Sequence, residues 1–121
     1  MKHIHFSLSE FEARRNAALA RMERDSLDAL LVFSQESMYY LTGYDTIGFV
    51  FFQCLVVGRD GRMVLLTRAP DRLQAKFTSI LEDIRVWVDG PNANPADEVR
   101  SILEEHSCNV VKTPPGDIYE R

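Results

Sequence analysis

The chain has 121 residues, enough for one domain of ordinary size with its own hydrophobic core. Hydrophobic residues at 45% and charged residues at 26% are typical of soluble globular proteins, and they exclude collagen-like, mucin-like and wholly disordered classes. The net charge of −4 predicts no nucleic-acid partner and no anionic membrane partner, and no apolar run approaches the ~20 residues of a membrane span. With two cysteines and no signal-peptide pattern, we expect a cytoplasmic protein.

The first part of the chain predicts a helix followed by a buried strand. Ser9 and Glu12 have the spacing of a capping box, which predicts a helix over about 9–25. The apolar run over 27–33 is short and lacks strict alternation, which predicts a strand covered on both faces. The apolar stripe of the helix is formed by Leu8, Phe11, Ala18 and Met22.

A short helix and a hairpin follow. Ser34 predicts the N-cap of the helix, and Gly43 predicts its end in a left-handed conformation. Apolar residues fill most of 49–57, turn residues occupy 58–61, and 63–66 is apolar again. This succession is typical of a β-hairpin.

A third helix and another strand are predicted next. Pro70 suits the first turn of the helix, because its ring is compatible with the opening position. The strand over 84–88 alternates, which predicts a half-exposed strand near an edge of the sheet. Its two faces carry Arg85 and Trp87 on one side and Ile84, Val86 and Val88 on the other. The predicted core face of the helix is formed by Leu73, Phe77, Ile80 and Leu81.

The end of the chain predicts one more helix and one more strand. Asn94 and Pro95 predict the start of the helix, and Cys108–Val111 predicts a last short strand. The resulting order, α-β-α-β-β-α-β-α-β, predicts a single α/β domain over 1–121 whose mixed sheet has about five strands, including one hairpin, flanked by helices. We expect loose termini at 1–8 and 113–121.

No catalytic motif stands out in the sequence. No H-E-x-x-H, G-x-S-x-G or phosphate-binding loop occurs. The aspartates mostly stand at turns and helix starts, where Asp bonds to the local backbone. The sequence therefore predicts no catalytic residue and no metal ligand in this chain.

Aromatic residues concentrate in one segment, which we call the Tyr39–Phe52 patch. Half of the aromatic residues of the chain lie in it: Tyr39, Tyr40, Tyr44, Phe49, Phe51 and Phe52. In a strand, alternation would make both faces apolar, so we expect helices, a partner or a ligand to cover at least one of them. Core packing and contact with another molecule both remain open for this patch.

The order of several segments resembles the N-terminal domain of the creatinase/prolidase metallohydrolases. The resemblance covers about 9–110, and its most specific piece is the Tyr-Leu-Thr-Gly-Tyr sequence at 40–44. It implies that family's α/β fold, with a ribonuclease H-like motif. The segments that carry it are Arg14-Arg15, Arg21-Met22, Leu27–Val32, Met38–Tyr44, Met63–Arg68 and Asp83–Asp89.

The resemblance implies a non-catalytic domain whose larger C-terminal catalytic partner is absent from this chain. In that family the catalytic domain hydrolyses a C–N bond, in X-Pro peptides or in creatine or ectoine-like substrates. It usually uses two divalent metal ions (Mn, Co or Zn), although creatinase-type members do without them. The resemblance also implies a homodimer, in which the N-terminal domain serves dimerisation and shapes the substrate pocket.

The positions that match the family's loop toward the partner's active site are 44–53. The implied pocket or partner residues are Tyr44, Asp45, Phe49, Phe51 and Gln53. Phe51 stands where creatinase-like members have an arginine for a substrate carboxylate, which counts against a true creatinase. The alternative is a stand-alone binding or scaffold domain that uses the Tyr39–Phe52 patch. A flavodoxin-like or receiver-like enzyme would need a phosphate loop or an acidic cluster, and the sequence has neither.

Overall fold

The computed structural model describes residues 4–46, 51–88 and 90–106. The helices are α1 (Leu8–Arg24), α2 (Gln35–Thr42), α3 (Ala69–Thr78) and α4 (Pro95–Glu105). The strands are β1 (Ala29–Val32), β2 (Cys54–Gly58), β3 (Met63–Arg68) and β4 (Asp83–Trp87). The predicted element order is confirmed through α4, and the predicted last strand, Cys108–Val111, lies outside the described residues.

The described strands form one mixed sheet in the order β1-β2-β3-β4. The pairs β1–β2 and β2–β3 are antiparallel, and β3–β4 is parallel, so the predicted hairpin is confirmed as β2–β3 and β4 lies at an edge as predicted. Strands β1, β3 and β4 consequently run in the same direction. We call the end where they finish the carboxyl end of the sheet, and the opposite end, which holds the β2–β3 turn, the hairpin end.

Apolar side chains cover both faces of the central strands, which explains their unbroken apolar runs. On the first face, α1, α2 and α3 contribute to a core with Leu55 of β2 and Leu65 of β3. On the second face, α4 packs against Val56 of β2 and Leu66 of β3. The sheet is therefore the middle layer of the domain.

Several helix ends follow the local signals in the sequence. The Ser34 hydroxyl accepts the N–H of Ser37 at the start of α2, and Gly43 ends this helix with φ +84°. Asn94 caps α4, with Pro95 as its first residue. The cap of α1 differs from the prediction: Ser7, not Ser9, accepts the N–H of Glu10, so the helix begins at Leu8.

The predicted core face of α3 is largely wrong. Leu73 is 76% exposed and Phe77 51% exposed, whereas Leu81, just beyond the helix, is buried as predicted. The one buried residue of α3 is Ala75, so this helix packs against the sheet through a small side chain and turns its large apolar residues outward. Leu8 of α1 is likewise exposed, while Phe11 and Met22 are buried as predicted.

The apolar run over 49–57 becomes a shorter strand than predicted. Strand β2 begins at Cys54, so Phe51 and Phe52 precede the sheet, and Phe49 lies outside the described residues. The indole Nε1 of Trp87 donates to the carbonyl of Phe52 at 3.0 Å. The carbonyl of Phe52 is therefore bonded to a side chain, at a position where the prediction placed a strand. Trp87 itself is buried on the face of the sheet that α4 covers.

Candidate functional site

The carboxyl end of the sheet carries the segment between α2 and β2. In sheets with parallel strands, ligands bind outside the carboxyl ends of the strands. The residues that end β3 and β4 and those that precede β2 meet at this end, because β2 runs opposite to its neighbours. The described part of the connecting segment comprises 43–46 and 51–53.

A buried polar cluster joins the two ends of this segment. The hydroxyl of Tyr44 donates to Oε1 of Gln53, and Thr67 Oγ1 donates to the same oxygen at 2.9 Å. The Tyr44 and Thr67 hydroxyl oxygens are 3.4 Å apart. Tyr44 and Thr67 are fully buried, and Gln53 is 5% exposed. We call these three residues the polar junction; it fastens the start and the end of the segment to β3.

Further hydrogen bonds hold the start of the segment. The N–H of Tyr44 donates to Thr42 Oγ1 at 3.0 Å, and its carbonyl accepts Nε2 of Gln35 at 2.9 Å. The N–H of Asp45 donates to Thr78 Oγ1 at 3.1 Å. Residues of α2 and of α3 therefore hold the backbone at 44–45 from two sides.

Burial raises the pKa of the Tyr44 hydroxyl above its ordinary value. Hydrogen bonds with Thr67 and Thr46 act in the opposite direction, and the negative charge of Asp71 adds to the rise. Asp71 is itself held nearby, because its Oδ1 accepts the Thr46 hydroxyl at 2.8 Å. The raised pKa extends to higher pH the range over which the Tyr44 hydroxyl stays protonated and able to donate a hydrogen bond.

Aromatic side chains lie beside the polar junction. Phe33, Phe52 and Trp87 form a row of edge-to-face contacts, with ring centroids 5.9 and 6.2 Å apart. The guanidinium of Arg68 lies over the ring of Phe51, 3.7 Å from its centroid. Phe51 is 48% exposed, so this stacked pair reaches the surface.

The sequence-predicted site residues divide between the interior and the surface. Tyr44 and Gln53 lie inside, where they bond to each other, and Asp45 and Phe51 lie at the surface. Phe49 lies outside the described residues. Their assignment as pocket or partner residues stays a prediction.

Sequence reasoning missed Thr67, Arg68 and Trp87 as parts of this end of the sheet. A signal for Thr67 was present, because a hydroxyl within the apolar run Met63–Arg68 needs a buried hydrogen-bond partner. Gln53 gives the same signal in the apolar run before the hairpin. A search for a hydrogen bond between Thr67 and Gln53 could have started from these two polar residues in apolar runs.

The described residues offer little for direct chemistry. Across 4–46, 51–88 and 90–106, no group of three or more His, Cys, Asp and Glu side chains could hold a metal ion. Burial raises the pKa of the Cys54 thiol to about 12, so this cysteine is a core residue and a poor nucleophile. Among the described helices, none is long and apolar enough to cross a membrane.

The fold and this end of the sheet define a small α/β domain. Hydrogen bonds hold its connecting segment between α2 and β2 at both ends, beside half-exposed aromatic rings. Residues 14–113 match the family model for the creatinase/prolidase N-terminal domain. The chain therefore belongs to this family, as the resemblance implied.

Known proteins with similar sequences are longer hydrolases. The chain is 30% identical over 110 residues to an uncharacterized hydrolase/peptidase of Sinorhizobium fredii, covering 85% of this chain and 28% of that protein. It is 26% identical over 100 residues to the ectoine hydrolase of Halomonas elongata, covering 78% of this chain and 25% of that protein. The chain thus spans about a quarter of the length of these curated relatives.

A solved structure shares the fold. The crystal structure of an Xaa-Pro aminopeptidase from Streptococcus pyogenes superposes with a TM-score of 0.66 at 27% identity, covering 84% of this chain and 70% of that one. This agreement confirms the predicted fold class.

Proposed function

We propose that this chain is the non-catalytic N-terminal domain of a C–N bond hydrolase of the Xaa-Pro peptidase type. In this proposal the carboxyl end of the sheet contacts the catalytic domain or a second subunit and shapes the substrate pocket. The observation that carries it is the polar junction, which fastens a connecting segment at both ends while Asp45 and Phe51 remain at the surface.

Two kinds of observation support this proposal. Binding residues are commonly carried on loops that a rigid scaffold positions, and the segment between α2 and β2 meets that description at 44–46 and 51–53. The relatives named above are a hydrolase/peptidase, an ectoine hydrolase and an Xaa-Pro aminopeptidase. Two of these names are those of peptidases, and we propose an amide or peptide C–N bond as the substrate class.

The metal ions of the proposed parent enzyme belong to its catalytic domain. In this proposal the present chain takes no step of the hydrolysis. We propose a cytoplasmic enzyme that acts as a homodimer.

The proposed contact surface can be tested by association measurements. Replacing Phe51 by Ser removes the ring under Arg68 at the carboxyl end, and replacing Leu73 by Ser removes an apolar residue of α3 that is more exposed, 76% against 48%. By sedimentation equilibrium, we expect F51S to weaken self-association at least about tenfold, as loss of a central interface aromatic does. L73S is the matched control and should leave the dissociation constant unchanged. An unchanged F51S dimer, or a dimer lost only in L73S, would contradict the proposed surface.

A direct assay tests the non-catalytic role. The chain is incubated with Mn²⁺ and a panel of X-Pro dipeptides, and release of proline is measured. We expect no turnover above the buffer control. Turnover that a chelator abolishes would refute the non-catalytic assignment.

A second candidate function is a stand-alone binding or scaffold domain that uses the Tyr39–Phe52 patch. It is favoured by the exposure of two members of the patch, with Tyr40 54% and Phe51 48% exposed. Reading the genomic sequence downstream of the codon for Arg121 distinguishes the two functions. A continuing frame with spaced Asp, His and Glu ligands supports the enzyme domain, and a terminator supports the scaffold.

A further inference from the structure

A groove lies between α3 and the edge strand β4. Its volume is about 490 Å³. The apolar part of its lining consists of Ala69 and Leu73 of α3 and Ile84 and Val86 of β4. The two strand residues are partly buried, and Leu73 is largely exposed. Apolar surface that is gathered in one place in this way is typical of contact sites for other molecules.

Two basic side chains of α3, Arg72 and Lys76, complete the lining of the groove. They stand four residues apart in the helix and therefore lie on the same side of it. Both are exposed, and none of the described residues that line the groove is acidic. Among the described residues neither of them pairs with a carboxylate, whereas Arg85 of β4 is bound by Asp83 and Glu105. The groove is therefore apolar and positively charged, although the whole chain has a net charge of −4.

Strand β4 adds a backbone edge to this groove. In the described part of the sheet β4 pairs with β3 alone, so the backbone groups on its other side face no strand there. Such an edge can accept an added strand, whose main-chain hydrogen bonds supply affinity and whose alternate side chains supply specificity. Because Ile84 and Val86 lie on the face of β4 that forms the groove, one face of an added strand would lie over the same groove.

A second copy of this chain does not suit the groove. Antiparallel pairing of β4 with the β4 of another copy would place the two grooves opposite each other around a two-fold axis. Arg72 and Lys76 of one copy would then approach the same two residues of the other. Because like charges brought together across an interface cost free energy, this arrangement is disfavoured. A partner with carboxylates would instead pair with both cations.

We propose that this groove is the docking site for an acidic, extended segment of a partner protein, which adds to the sheet as a strand beside β4. The side chains of the segment that lie over the groove are apolar against Leu73 and Val86 and acidic against Arg72 and Lys76. The spacing fits, because alternate residues of a strand are about 7 Å apart and side chains one helical turn apart are separated by about 5–6 Å. This site is separate from the surface proposed for the catalytic domain or a second subunit, since none of residues 43–46 and 51–53 lines it.

A synthetic peptide tests the recognition. The acetylated and amidated peptide Glu-Thr-Val-Thr-Val-Thr-Glu presents Glu, Val, Val and Glu on one face of a strand and threonine on the other. Because that face has the same order of residues in both directions, the peptide can dock parallel or antiparallel to β4. The control peptide has Lys in place of both Glu. In NMR titrations of the full chain, we expect the acidic peptide to bind at least about tenfold more tightly than the basic one. Equal affinities, or no binding of the acidic peptide, would overturn the proposal.

Reversal of a charge in the groove gives a second test. Arg72→Glu should weaken binding of the acidic peptide and strengthen binding of the basic one. The position is exposed, so we expect the variant to fold. Arg100→Glu is the matched control, because it reverses an exposed charge on α4, on the opposite face of the sheet, and should leave both affinities unchanged. Equal changes in the two variants would show attraction to the net charge of the chain alone and would overturn the assignment to this groove.

Hydrogen exchange locates the bound peptide. Saturation with the acidic peptide should slow amide exchange across Asp83–Trp87 and leave it unchanged across Ala29–Val32, the strand at the opposite end of the described strand order. Protection confined to Ala29–Val32 would overturn the assignment to β4. Sedimentation equilibrium of the chain without peptide provides a further check. Self-association that Leu73→Ser abolishes would assign the groove to a second copy and would likewise overturn the proposal.

Discussion

The two ends of the sheet are held together by different kinds of polar contact. At the hairpin end, Asp60 accepts the N–H of Arg62 at 3.0 Å and its guanidinium at 2.7 Å, and Arg59 pairs with Asp28 at 3.0 Å. These side chains are about half exposed to water. At the carboxyl end, the polar junction is neutral and buried.

This difference has energetic consequences. Exposed charge pairs contribute little, because water solvates the same groups when the pair breaks. A buried hydroxyl or amide without a partner loses that solvation, so breaking the polar junction is costly and only one arrangement satisfies it. The polar junction at the carboxyl end therefore fixes how the two ends of the α2–β2 segment are held. The hairpin end, in contrast, tolerates substitution of its exposed charged residues. The predictions below test this contrast.

The largest effect is expected from Gly43→Ala at the carboxyl end. Gly43 has φ +84°, and an added Cβ would lie 2.9 Å from the carbonyl oxygen of Thr78 and 3.2 Å from the ring of Phe11. Left-handed strain and overpacking together should lower the free energy of unfolding by about 3 kcal/mol.

Gly61→Ala at the hairpin end is the matched control for Gly43→Ala. Its φ is +90°, but the nearest atom to an added Cβ is a methyl of Leu19 at 3.6 Å. We expect a loss of about 1–2 kcal/mol from backbone strain alone. Urea unfolding measures the loss in free energy of unfolding for both variants. Equal losses would show that the close packing around Gly43 adds nothing to the cost of the backbone strain.

Tyr44→Phe should have the next largest effect. It removes one of the two donors to Gln53 Oε1 without changing the ring, and should cost about 1–1.5 kcal/mol. Tyr39→Phe is the control, because the Tyr39 hydroxyl bonds to His5 in an exposed position, 2.8 Å from Nδ1. A double-mutant cycle with Thr67→Val should show coupling, and strict additivity would argue against a shared network.

Alkaline pH should weaken the carboxyl end selectively. Because burial raises the pKa of Tyr44 above its ordinary 10.0, the unfolded chain ionises at lower pH than the folded one. The stability from the neutral phenol is fully present below pH 10.0 and is lost as the pH rises from there through the folded-state value. Urea unfolding between pH 8 and about 11 should show a steeper decline for the native chain than for Tyr44→Phe. Parallel curves would contradict the prediction.

The smallest effect is expected from Asp60→Asn at the hairpin end. Burial acts to raise the pKa of Asp60, but the hydrogen bonds from Arg62 and the charges of Arg62 and His106 outweigh it and lower the pKa. The resulting stability is present above the ordinary pKa and is lost as the pH falls through the lowered one. Because the group is well solvated, we expect a loss below about 0.5 kcal/mol at neutral pH, abolished by salt. A loss as large as that of Tyr44→Phe would remove the contrast between the two ends.

Local signals in the sequence predicted most of the fold. Ser34 and Gly43 bound α2 because a cap and a left-handed glycine act within a few residues, and the β2–β3 hairpin follows from its turn residues in the same way. The exposure of Leu73 and Phe77 was not predictable from helical spacing. Spacing shows which residues share a face, but what covers that face is decided by other elements of the fold.

The candidate site was predictable only in part. The sequence pointed to 44–53 through its aromatic residues and its resemblance to a family, but not to Thr67, which is 14 residues from Gln53 along the chain. Periodicity carries no information on such pairings. A polar residue in an apolar run indicates that a buried hydrogen-bond partner is needed. That partner becomes identifiable only once the strands are placed in register.

The polar junction also bears on how such a domain can diversify. Because Tyr44 and Gln53 are joined side chain to side chain, the residues between them form the span of a closed loop whose base belongs to the core. Lengthening a loop is inexpensive, since each doubling of its length costs only about 0.6 kcal/mol in closure entropy. Insertions within the span should therefore cost little stability, as long as Tyr44, Gln53 and Thr67 are kept.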